Sequence, residues 1–186
     1  MAEVVVPEPD LKLPSVMKEF PAPDFIIKYR GVIDFDGLYK LVCKWLTNRK
    51  FQLYETTHKV KPPEIEIVLD GRRKRTAYKR DRVFVHFHMF KNRDVLEDYN
   101  GKKIKKIDVR MKITFSCKIE TGYPNYFGWN RWQESRFKMV LQNFLNRYIL
   151  KKEIDLKDAD QLYYELYELH GKVKEFLGME SKASAY

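Results

Sequence analysis

The residues with the most capacity for chemistry in this chain are cations set directly behind turn signals. Asp70-Gly71 is followed by Arg72, Arg73, Lys74 and Arg75, then Lys79, Arg80 and Arg82; Asn100-Gly101 is followed by Lys102, Lys103, Lys105 and Lys106. Asp-Gly and Asn-Gly between alternating runs are hairpin signals. With another turn near Lys91–Arg93, they are alternate turns of a meander and belong at the same end of the sheet. The expectation is that these 11 cations gather there. Such a cluster neutralises several phosphates and makes binding steeply salt-dependent, and arginines suit forked phosphate contacts. Charge along the chain agrees: of a net +10, residues 72–118 alone carry +11, with 16 Lys/Arg against 5 Asp/Glu. The competing role for cations at strand edges and tips is protection against edge pairing.

Three other constellations bear on function. Tyr123, Tyr126, Phe127, Trp129 and Trp132 crowd the segment 122–133. Such a loop stacks unpaired bases, anchors a protein partner, or buries its rings as a packed corner around Pro124 and Gly128. His86 and His88 stand at i and i+2, so on a strand they share a face and can supply two metal ligands. A third ligand has no clear source: Glu64 and Glu66 form a pair of their own, His58 stands apart, and flanking phenylalanines favour a packed face. No metal site and no cofactor are assigned. Phosphate-binding Gly-rich loops, nucleophile elbows, zinc-protease helices and Cys-X-X-Cys are absent from the sequence, as are the common sequence-reading nucleic-acid modules. Catalysis is the least supported class.

The elements that must position these residues are plain. From Ile107 to Ile119 every odd position is apolar and every even one polar, a strand with one dry and one wet face. Arg110, Lys112 and Lys118 make its wet face the spine of a basic surface. Phe25–Tyr29 reads as a short strand. Asp34 or Asp36 caps a helix over 35–48 that buries Leu38, Val42 and Trp45. Phe51–Val60, Glu64–Leu69 and Val83–Phe90 read as strands, the last bulky on both faces and therefore central. Two antiparallel helices follow, about 134–151 and 156–177. The first carries a stripe of Phe137, Val140, Leu141, Phe144, Leu145 and Tyr148, the second one of Ala159, Leu162, Tyr163, Leu166, Leu169, Val173 and Phe176. The expected fold is α+β: an antiparallel meander of five or six strands with one N-terminal and two C-terminal helices packed on one face. Residues 1–24, with five prolines, form an extended arm; 25–178 form the domain; 179–186 are disordered.

Asp36-Gly37-Leu38-Tyr39 to Trp45, Phe51-Gln52-Leu53-Tyr54-Glu55, Val83-Phe84-Val85-His86-Phe87 and Gly101-Lys102-Lys103-Ile104-Lys105 together resemble a group of uncharacterised small archaeal proteins over about residues 33–175. The resemblance implies a cytosolic archaeal origin and no function. Cys43 and Cys117 fall at apolar-patterned positions, as reduced cysteines of a cytoplasmic protein do. No apolar run reaches the roughly 20 residues of a membrane helix. The expected function is non-catalytic binding of an anionic partner through the basic end of the sheet, nucleic acid without sequence specificity ahead of another anionic surface such as an acidic protein or lipid. The alternative is a structural or assembly subunit, a homo-oligomer or part of a complex, that uses the arm and the aromatic loop as interfaces.

Overall fold

The computed structural model describes residues 18–61, 63–99, 102–121, 137, 140–141 and 144–179. The long alternating strand is its axis, β6 (Lys102–Thr121). Along one edge of β6 lie β1 (Lys18–Pro21) and β2 (Phe25–Ile33) in tandem; along the other lie β5 (Lys79–Tyr99), β4 (Glu64–Lys74) and β3 (Gln52–Lys61). Six strands thus fill five positions, with every pairing antiparallel. The period-two reading holds: Val109, Met111, Ile113, Phe115, Cys117 and Ile119 are no more than 2% exposed. A one-residue slip would bring all of them to the wet side.

The dry face is covered by helices. Helix α1 (Phe35–Asn48) starts where Asp34 accepts a 2.9 Å hydrogen bond from the Gly37 amide, and it buries Leu38, Val42, Trp45 and Leu46. Phe35 meets Phe87 of β5 edge-on at 5.6 Å. At the C-terminus helical backbone runs unbroken through π1 (Leu145–Ile149), α2 (Leu150–Glu153), π2 (Ile154–Ala159) and α3 (Asp160–Phe176). α3 buries Leu162, Leu166, Leu169 and Val173 in the same core. Gly178 then takes φ +65°, and Met179 N–H bonds back to the Lys174 carbonyl, closing the helix with a left-handed residue.

The α+β class is as the sequence implies, but four features differ. Asp70-Gly71 is not a turn. The β4–β5 pairing continues past it to Lys74↔Arg80, and the chain reverses over Arg75–Tyr78. There Thr76 Oγ1 accepts from the Tyr78 and Lys79 amides, local hydroxyl bonding that closes the turn. The turn expected near Lys91–Arg93 is a register shift within one 21-residue strand, a bulge that lets β5 continue. The two C-terminal helices are not a hairpin: residues 151–160 hold no Gly or Pro to break the helix, and π2 takes up the irregularity instead. Of the first helix's stripe, Phe137, Val140, Leu141, Phe144 and Tyr148 are all more than half exposed. Among the described residues, two long helices cover the sheet rather than three. Of the arm, Lys18–Pro21 joins the sheet as an edge strand, where proline is tolerated. Residues 1–17 and 180–186 lie outside the described residues.

Besides apolar packing, charge fastens the C-terminal helix to the sheet. Asp81, fully buried on the helix side of β5, accepts from Arg73 at 2.8 Å and Arg75 at 2.7 Å. Arg75 extends to Asp158 at 3.1 Å and Gln161 at 2.9 Å, and Lys79 Nζ joins Asp158 at 2.6 Å to Glu153 at 2.9 Å. Burial works against the Lys79 cation, but Asp158 and Glu153 outweigh it and raise its pKa.

His170 of α3 is buried beside Phe25 and Tyr167, with Phe115 edge-on at 5.9 Å. Burial first, and then the charge of Lys174, push its pKa below the usual 6.5. The unfolded chain therefore takes up this proton before the folded one does. The stability that neutral His170 contributes is complete above about pH 6.5 and is lost as pH falls through the lowered folded value. Thermal midpoints measured from pH 7.5 down to 5 should fall for the native chain and flatten for His170→Phe. Parallel slopes for the two proteins would contradict the assignment.

Candidate functional site

The two cationic turns lie at opposite ends of the sheet. Since β5 is one strand, the turn at Arg75–Tyr78 and the connection from Tyr99 to Lys102 are consecutive reversals, not alternate ones. The expected gathering of all 11 cations therefore does not form. Asn100 and Gly101 lie outside the described residues, as do the side chains of Lys102, Lys103 and Lys105; Lys106 is half-buried. Lys74 is exposed at the tip of β4.

The other six are joined to carboxylates. Arg73, Arg75 and Lys79 face the helix and are held as described above. Arg72, Arg80 and Arg82 face the open side of the sheet and cover two fully buried acids, Asp70 and Glu120. Arg82 forks onto Asp70 at 2.9 and 2.7 Å and reaches Glu120 at 2.9 Å. Arg72 bonds Asp70 and Arg80 bonds Glu120, each at 2.9 Å. Lys118 Nζ lies 2.7 Å from Glu19 and 3.6 Å from Glu120. Burial alone would raise the Glu120 pKa; hydrogen bonds from Arg82 and Arg80 overcome it and hold the carboxyl below its ordinary range. For Arg82, burial opposes the cation, and bonds to Asp70 and Glu120 outweigh it and raise the pKa. The guanidinium groups also lie on rings, Arg72 over Tyr54 and Arg82 over Phe84, both at 4.6 Å. These cations are internally compensated, and the acids that compensate them come from outside residues 72–118 apart from Asp81.

Unpaired positive charge stands further along the same open face. The register sets Lys28 of β2 opposite Lys112 of β6, and Arg30 opposite Arg110. All four side chains are exposed, and none makes an ion pair with a described residue. Cβ atoms of directly opposed residues lie about 4.5–5.5 Å apart, so two like-charge pairs sit side by side. Together with Phe90 they line a shallow depression of about 250 Å³. On the other side of β6, the register continues from Lys112 to His88 and from Arg110 to Phe90. The signal for this site in the sequence was the wet face of the long strand, Arg110 and Lys112; its other half, Lys28 and Arg30, becomes visible only with the β2–β6 pairing.

His86 and His88 lie on this face beside the acids of β4. His86 Nε2 is 3.0 Å from Glu66, close but misaligned for a hydrogen bond, and His88 Nε2 is 3.9 Å from Glu64. Among the described residues no group of three or more His, Cys, Asp or Glu is placed to hold a metal ion. The aromatic loop residues Tyr123, Tyr126, Phe127, Trp129 and Trp132 lie outside the described residues. The Cys117 thiol is pushed up to about 12 by burial and then by Asp24 and Asp81, which leaves it unreactive as a nucleophile. No described helix is long and apolar enough to cross a membrane, which says nothing of strands.

No family model matches the chain, and no curated protein does. Among solved structures, an uncharacterised protein from Rhizobium leguminosarum is similar at 8% identity and a TM-score of 0.21, over 89% of this chain and 100% of its own. A score that low carries no argument about fold or function.

The opposed cations generate a stability prediction. Lys28→Glu converts the Lys28/Lys112 repulsion into an attraction and should stabilise the fold by about 0.2–1 kcal/mol at low ionic strength, with the gain shrinking as salt screens it. Urea denaturation at two salt concentrations reads this directly. A loss of stability at low salt would show that the two side chains do not repel across the pair.

Proposed function

We propose that the protein is a non-catalytic binding protein that engages nucleic acid, without sequence specificity, through the cationic open face of its sheet. The observation that carries this is the two directly opposed like-charge pairs, Lys28/Lys112 and Arg30/Arg110, exposed on one face with no carboxylate partner among the described residues. At the β4–β5 turn, by contrast, Arg72, Arg73, Arg75, Lys79, Arg80 and Arg82 are each joined to an acid. An unanswered group of four has a repulsion that a polyanion relieves, and phosphates are the common source of such charge. The site differs from the tip expected from the sequence, and the partner class is the same.

Binding of labelled single- and double-stranded RNA and DNA across a salt series tests it. Each phosphate neutralised contributes about −0.7 (single strand) to −0.9 (duplex) to the slope of log K against log salt, so four contacts give a slope of about −2.8 to −3.6. Replacing Lys28, Arg30, Arg110 and Lys112 together by Gln should abolish that slope, whereas Arg72→Ala should change it far less because Arg72 is bonded to Asp70. No binding at low salt would reject the proposal.

A second reading, a structural or assembly subunit, has one observation in its favour. Phe137 at 76% exposure, Val140 at 65%, Phe144 at 51% and Tyr148 at 62% form a helical stripe turned away from the core, more apolar surface than a lone helix leaves to water. Light scattering across protein concentration separates the two: a mass above 22.4 kDa that returns to monomer in Phe144→Glu supports a homomeric interface, and a constant monomer removes it.

A further inference from the structure

On the same open face, β5 carries a column of rings. Its even positions Phe84, His86, His88 and Phe90 point away from the helices, opposite Ser116, Thr114, Lys112 and Arg110 of β6. Phe84 is already covered by Arg82 and Lys118. The next three rings are not covered by any described cation. The His86 and His88 rings are parallel within 8° at 5.9 Å, and His88 lies against Phe90 at 3.9 Å. Neither histidine is shut off from solvent, at 36% and 30% side-chain exposure. Phe90 lines the cationic depression itself.

Charge is distributed unevenly about this column. On the β6 and β2 side stand Arg110, Lys112, Arg30 and Lys28; on the β4 side Glu64 opposes Phe90 and Glu66 opposes His88. A phosphate backbone is attracted to the first side and repelled from the second. It therefore runs over β6 and β2, and whatever it carries projects across β5. For a single strand those are unpaired bases, whose π-faces stack on exposed rings without regard to sequence. A duplex keeps its bases stacked on each other and presents only phosphates and groove edges.

We infer that His88 and Phe90 form a stacking platform for unpaired bases, so that this face takes single-stranded nucleic acid in preference to duplex. The inference rests on the anion-binding role proposed above and adds the ligand's form and the residues that select it. With ring centroids 3.9 Å apart, His88 and Phe90 form one continuous surface, and an unpaired base turned toward β5 stacks on it. Glu64 and Glu66 also offer acceptors to exocyclic amino groups that reach past the rings.

The test uses the full chain with three probes at one salt concentration: fluorescein-labelled oligo(dT), the same oligonucleotide as a duplex, and heparin, a polyanion without bases. Oligo(dT) should bind at least about 10-fold tighter than the duplex. Phe90→Leu should lose about 5- to 100-fold for oligo(dT) with heparin affinity and salt slope unchanged, and Phe90→Tyr, which keeps the ring, should retain binding. His88→Leu serves as an independent variant should Phe90→Leu fail to fold by circular dichroism. Equal affinity for oligo(dT) and duplex, or a folded Phe90→Leu with undiminished oligo(dT) affinity, overturns the stacking platform and leaves anion binding standing. Failure of all three probes to bind overturns both.

Discussion

The β4–β5 turn can form only where its positive charge is neutralised. Seven cations between Arg72 and Arg82 follow one another in a stretch of eleven residues. Left unanswered in a two-stranded ladder, they would oppose one another at Arg72↔Arg82 and Lys74↔Arg80, with Asp81 alone set against Arg73 between them. The fold answers six of them, from both faces. On the helix side Asp81, Asp158, Glu153 and Glu165 take Arg73, Arg75 and Lys79. On the open side Asp70 and Glu120 take Arg72, Arg80 and Arg82. Removing one member of a buried pair costs about 3–5 kcal/mol because its partner is left charged and unpaired. The end of the sheet, the position of the C-terminal helix and the length of β4 therefore stand or fall together.

That network explains which features the sequence made legible. The dry face of β6 could be read because a period of two with no error admits one register. The same holds for α1, where Asp34 and the Leu38/Val42/Trp45 spacing agree on start, face and length. Asp70-Gly71 misled because its turn signal is local, whereas the forces that override it are not. The Asp70 carboxylate is fixed by Arg82, twelve residues away, and the strand's continuation is secured by Arg73 to Asp81. One misplaced turn, and one bulge read as another turn, changed the parity of the meander. With the parity changed, two cationic clusters that lie at opposite ends were expected at the same one.

Composition misled for a related reason. A surplus of +11 in residues 72–118 is a property of the chain, not of the surface, until the partners of each charge are known. Asp70 and Glu120 stand at or just beyond the segment's borders, and Glu153, Asp158 and Glu165 come from a helix far along the chain. Counting by segment separates these acids from the arginines they touch. Among the described residues, Lys28, Arg30, Arg110 and Lys112 lack such acids, and seeing them as one group requires knowing that β2 pairs with β6.

The free group is stable for a reason found on the opposite side of the same strands. Lys28 and Arg30 alternate with Ile27, Tyr29 and Ile33, and Arg110 and Lys112 with Val109, Met111 and Ile113. Ile27, Ile33, Val109, Met111 and Ile113 are each at most 5% exposed. Burying such a side chain is worth about 1.5–3 kcal/mol, against about 0.2–1 kcal/mol for each opposed like-charge pair. The dry face therefore holds β2 on β6 by a wide margin, and the wet face can carry an electrostatic penalty without loosening the sheet. A rigid, apolar-anchored strand pair holds four cations at fixed spacing in water, and that pre-organisation lowers the ordering cost of binding. The turn end of β4 and β5 spends its charge on the fold; β2 and β6 present theirs to solvent beside half-buried rings.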